Sequence, residues 1–428
     1  MRYLPDARLT SRAHSMNAAC RPVDAGIGYR PRMPNTIARL SVAVLAAIGT
    51  FSEAAAEPVC SAEAVKQAAA DIAAPRDVIQ AAVANSDLDT DLAPATSTAI
   101  VTLKKKLVAL VDAQVACMTA GKAAGAQQLE AALNASVMPT GKDAKSDDAP
   151  IRFGAVVFED NPLLSVVAQI GIPCGSDALW LVYERDGEQR RRVLTWTSPR
   201  YERIDGARGS FQVAVSPRDA EGRWFAAAAS IRPWCTSTWS TIDYAILRPG
   251  ADADKPSLVL KSNDSMWWGG DDTGRLSVDA KHVEVRFHGA SIDTGVHNRE
   301  YVRRYAVNGS TATRVAPVAG SARDFVEEWI VSPWALAQQW TERKQAAALR
   351  QAHESLQAER ERHEPVEFGA TTTCANAANT TQIELRHDDG DKSTFFRVVG
   401  TNDYLMAAIS EEGDPSCGEA TPEDRSTE

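Results

Sequence analysis

Three stretches of this chain pass through the same order of features about 60 residues apart, which restricts the fold to stacked or radially arranged copies of one small unit. Residues 166–196 (VVAQIGIPCGSDALWLVYERDGEQRRRVLTW) and 226–260 (AAAASIRPWCTSTWSTIDYAILRPGADADKPSLVL) each read as strand, Pro, Cys, Ser-containing turn, strand, hairpin and strand. Residues 282–315 keep the strand order without the cysteine. One more β-rich run precedes each copy, at 153–158, 210–215 and 275–279, so about three antiparallel units of four strands are expected over 151–320. Propeller-like, trefoil-like and prism-like arrangements all suit such units. Because propellers usually have roughly four to eight blades, closure of three units would need help from another region.

The flanks have a different character. From 57 to 140 there is no Phe, Tyr or Trp, and apolar residues recur at helical spacing. Ile100, Leu103, Leu107, Leu110, Ala113 and Cys117 form one seam, with Thr96 or Ser97 expected to cap the helix and Gly121 to stop it. Two shorter helices are expected before it, the second with Pro75 in its first turn, and another after it at 126–137. Residues 141–150 read as a polar linker. Beyond the β body, 321–365 is expected to be helical, as a short helix over 324–330 and a longer one from Pro333 to Pro365. Residues 366–418 then read as a small β appendage and 419–428 as a disordered tail. The expected class is α+β.

The first 56 residues read as an over-extended start followed by a signal peptide. Arg39 precedes the twelve-residue apolar run Leu40 to Phe51, and Ala54-Ala55-Ala56 offers small residues for cleavage. That run is shorter than the roughly twenty residues a membrane-spanning helix needs, so a periplasmic or secreted mature chain without a membrane span is expected. Cleavage after Ala56 would remove seven arginines and three acids, leaving 39 basic against 53 acidic side chains, a net charge of −14. Such a balance opposes binding to nucleic acid.

Cysteine usage points the same way. Beyond Cys20, six remain, none in a C-x-x-C pair or at zinc-ligand spacing from a histidine, so disulfides are expected rather than metal. Nearest neighbours suggest the pairs Cys60–Cys117, Cys174–Cys235 and Cys374–Cys417.

No complete catalytic motif is present. G-x-S-x-G, S-x-x-K, H-E-x-x-H, G-x-G-x-x-G and the Walker phosphate loop are all missing, and the acidic turns do not match a calcium loop. No metal or cofactor is therefore expected. The stretch SMWWGGDD, 265–272, is the most suggestive candidate for binding: Trp267 and Trp268 offer rings for stacking, Asp271 and Asp272 offer carboxylates, and His297 is an unpaired loop histidine. Successive side chains of a strand point to opposite faces, so at most one of the two indoles is free for a ligand while the other enters the sheet core. An exported binding or scaffold protein with an envelope or extracellular ligand is the first expectation. The alternative is a cell-envelope hydrolase acting on a glycan or peptidoglycan-like polymer, in which Asp264, Asp271, Asp272, His288 and His297 would converge on one pocket.

Overall fold

The computed structural model describes residues 60–84, 92–118, 123–138, 150–158, 162–172, 175–198, 211–232, 238–267, 274–296, 298–375, 377–387 and 392–420. The signal-like segment, most of the linker, Cys174, Cys235 and the last eight residues lie outside that set. Four helices open the described chain: α1 (Ala62–Ala70), α2 (Ala73–Ala84), α3 (Pro94–Ala116) and α4 (Ala123–Val137). Four antiparallel sheets follow. Strands β1 (Ile151–Val157), β2 (Leu164–Ile172), β3 (Gly175–Asp186) and β4 (Gln189–Thr197) form the first in chain order. The second comprises β5 (Phe211–Val215), β6 (Ala226–Ile231), β7 (Trp239–Arg248) and β8 (Ser257–Trp267), and the third β9 (Arg275–Val278), β10 (His282–Ala290), β11 (Asn298–Asn308) and β12 (Thr311–Arg314). Helices α5 (Ala322–Val331), α6 (Trp334–Ala337) and α7 (Ala346–Glu361) precede a five-stranded sheet of β13 (Val366–Cys374), β14 (Thr380–His387), β15 (Ser393–Val399), β16 (Leu405–Ser410) and β17 (Cys417–Ala420).

Period-2 alternation decides what each sheet face meets. In β3, Leu179, Leu181 and Tyr183 turn toward the helical core of Leu103, Leu107 and Leu133, while Trp180 and Val182 turn toward the second sheet. Ala226 and Ala228 of β6 receive that face; Ala227, Ala229 and Ile231 face the third sheet with Val283, Val285 and Phe287. All six residues of β6 are buried, as expected for a strand covered on both faces. The three repeat units are therefore present but packed in series, and no closure into a propeller or barrel is detected among the described residues. Helices cover the outer sheet faces: α1–α4 occupy the outer face of the first sheet, and α5 packs on both β11 of the third sheet and β14 of the fourth.

Two helix expectations need correction. Helix α3 starts two residues before Thr96, with Pro94 in its first turn and no side-chain cap; Pro94's fixed φ suits a helix start, and Thr96 is buried within the helix. The long C-terminal helix is interrupted between Trp340 and Ala346. There Thr341 leaves helical geometry, accepts the Trp329 indole N–H at 2.9 Å and pairs with Met406 of β16, so a tertiary contact outweighs local propensity.

Gly289 allows the second and third sheets to approach. A Cβ there would lie 2.8 Å from the Tyr301 ring and 3.1 Å from the Ser265 carbonyl oxygen. Gly289→Ala should therefore destabilise the fold by about 1–3 kcal/mol through overpacking, measured as a lower urea midpoint; an unchanged midpoint would refute this account of the close approach.

Candidate functional site

Of the residues expected to bind, only Trp267 falls within the described chain. It ends β8, half-buried, directly opposite Trp239 of β7. Trp268, Asp271, Asp272 and His297 lie outside the described residues.

The two other residues of the enzyme alternative are not brought together. Asp264 accepts the Tyr244 hydroxyl at 2.8 Å and Arg303 Nη2 at 3.0 Å. His288 stands opposite Glu300 in the β10–β11 ladder. Glu300 and Arg303 are an odd number of residues apart on β11, so Asp264 and His288 address opposite faces of the third sheet.

Asp264 instead belongs to a buried ionic cluster that joins β8, β11, β12 and α5. Glu328 accepts Arg303 Nη1 at 2.7 Å, Arg299 Nη2 at 2.9 Å and Arg314 Nη2 at 3.2 Å. Arg299 also pairs with Glu327 at 2.8 Å, and its guanidinium lies 3.6 Å from the centroid of the Tyr301 ring. Three arginines thus face Asp264, Glu327 and Glu328, leaving the cluster without net formal charge. Burial would raise the Glu328 carboxyl, but Arg303, Arg314 and Arg299 overcome it and hold the group at about 2. Burial instead prevails at Glu327 and raises it, despite Arg299 and the hydrogen bonds from Ser291 and Ile292. Every charge here has an internal partner, which makes the cluster a structural clamp.

The sequence reading missed this clamp, although its signal was present. "REYVRRY" places Arg299, Tyr301, Arg303 and Tyr305 on one strand face, and "FVEEWIV" puts two acids in an otherwise apolar helix. His353 of α7, which is followed by Glu but lacks the second His of H-E-x-x-H, is buried between Trp329 and Trp334, and its Nε2 lies 3.0 Å from the Trp329 carbonyl oxygen and 2.9 Å from that of Ser332. Burial holds its imidazole below the ordinary range.

A different kind of place lies between α3 and the first sheet. A cavity of about 250 Å³ opens there, somewhat below the roughly 300–1,000 Å³ typical of ligand pockets. Ser97, Ile100, Val101, Lys104 and Lys105 recur every three to four residues and present one helical flank to it. Leu92 borders the start of that helix, and Asp177, Thr197 and Ser198 come from the sheet. At the cavity's edge Lys104 Nζ pairs with Asp177 Oδ2 at 2.7 Å, and Asp177 Oδ1 accepts the Ala178 N–H at 2.7 Å. Ser198 Oγ is engaged with both backbone groups of Ala178. The Ser97 and Thr197 hydroxyls and the Lys105 ammonium make no side-chain hydrogen bond or ion pair among the described residues. The arrangement combines an apolar wall, a satisfied ion pair and three polar groups left for an incoming molecule.

Among the described residues no group of three or more His, Cys, Asp or Glu side chains could hold a metal ion, and no helix is long and apolar enough to cross a membrane. Among the described residues two disulfides are present, Cys60–Cys117 and Cys374–Cys417, and both suit an oxidising compartment. No protein-family model and no curated protein matches this chain, so the reading of its site rests on its own geometry.

Proposed function

We propose that the chain is an exported, disulfide-stabilised binding protein whose stacked β units form a scaffold and whose ligand site is the cavity between α3 and the first sheet. The supporting observation is a contrast in satisfaction. Asp264, offered as a catalytic carboxylate, has its hydrogen bonds committed to Tyr244 and Arg303, whereas Ser97, Thr197 and Lys105 line the cavity and their side chains have no described partners. Convergent polar groups beside an apolar wall are what orient a small ligand.

Nuclear magnetic resonance with a set of small fragments tests this proposal. Fragments should shift amide signals of Ile100, Val101 and Thr197, and Val101→Trp should abolish those shifts by filling the space from an exposed helix position. Fragment shifts confined to other surfaces would overturn it. So would hydrolysis of peptidoglycan by the purified chain that disappears in Asp271→Ala, Asp272→Ala or His297→Ala, because that outcome restores the enzyme alternative.

A further inference from the structure

Resting on the binding role just proposed, we infer that the cavity takes a small amphiphile with an anionic head, such as a medium-chain carboxylate. The charge at the rim is the first reason. The chain carries a formal net charge of −10, yet the described residues lining the cavity include two lysines and one aspartate. Lys104 and Asp177 neutralise each other across 2.7 Å with little exposure, so among the described lining residues the remaining charge is that of exposed Lys105.

Hydrogen-bond chemistry is the second reason. The Ser97 and Thr197 hydroxyls and the Lys105 ammonium can all donate, and a carboxylate accepts without requiring a donor of its own. A cationic head would meet Lys105 repulsion and would have to compete with Lys104 for Asp177, the only carboxylate among the described lining residues, whose second oxygen is already bonded to the Ala178 N–H. Leu92, Ile100 and Val101 supply the surface for the apolar body. Cavity size sets the scale: about 250 Å³ suits a chain of roughly eight carbons and not a large polymer.

Isothermal titration of the full chain with sodium octanoate, octan-1-ol and octylammonium, at one pH and ionic strength, tests the inference. Octanoate should bind at least ten-fold more tightly than octylammonium. Lys105→Ala, at an exposed position, should weaken octanoate three- to ten-fold and leave octanol unchanged, while Val101→Trp should eliminate both. Equal affinity for octanol and octanoate, together with no effect of Lys105→Ala, would overturn the head-group inference and leave the binding role standing. Failure of all three probes to bind, with cavity amide signals unmoved at saturating octanoate, would overturn both.

Discussion

Glu328→Ala should lower stability by about 3–5 kcal/mol at pH 7, the usual cost of stranding buried charges by removing one partner. The truncation leaves Arg299, Arg303 and Arg314 around an empty position with only Glu327 and Asp264 to balance them. Arg303→Ala should cost a similar amount, because it strips Asp264 and Glu328 of a shared partner. The double variant should lose less than the sum, since the two groups act as one unit. Urea unfolding of the four proteins measures this, and additive losses would show that the clamp is not a unit.

The same cluster makes stability depend on pH in a defined direction. Glu328 titrates at about 2 in the folded state against an ordinary 4.5. Its favourable contribution, about 3 kcal/mol, is complete above pH 4.5 and is lost as pH falls toward 2. Burial depresses His353, so the stability attached to its neutral form is present above about pH 6.5 and declines below it. Glu327, raised by burial, acts in the opposite sense, since its contribution is lost as pH rises, and it blunts the trend. The urea midpoint should therefore fall between pH 6.5 and 3, with a shallower slope below 4.5 in Glu328→Ala. A wild-type midpoint that stays flat over that range would contradict the assignment.

Replacing both Cys374 and Cys417 by Ser should cost about 4 kcal/mol, the chain-entropy value for a sequence separation of 43 residues. The bond has a clear task. β17 has four residues and joins the sheet only through β13, at Thr372↔Ala420 and Cys374↔Cys417, with a register shift between them. A short edge strand with so few ladder partners depends on its covalent link. Hydrogen exchange should show loss of protection first in 417–420 and then across β13, while the first three sheets remain protected. Unchanged exchange in β17 would mean that backbone pairing alone holds it.

Local pattern made much of this fold legible. The Leu103, Leu107 and Leu110 spacing is a helical seam wherever the chain folds, and those three residues are fully buried in α3. The β runs near 153, 211 and 275 became β1, β5 and β9, because alternation and turn residues act over a few neighbours. The helix break at Thr341 was not legible, since its cause is an indole twelve residues earlier and a strand sixty-five residues later. The cavity was also hidden: Val101 and Thr197 are ordinary helix and strand residues until α3 lies against the first sheet.

By itself, then, the amino-acid sequence determined the alternation of helices and four-stranded units and suggested the pairing of neighbouring cysteines that the structure shows at 60 with 117 and 374 with 417. These depend on side-chain period, on turn chemistry and on the lower entropy cost of closing shorter loops. Only the tertiary structure decided that the sheets stack in series, that Asp264 serves a clamp, and that a polar-rimmed cavity forms beside α3. Each of those outcomes depends on which faces meet, and a face acquires its partner only when elements distant in the chain pack together.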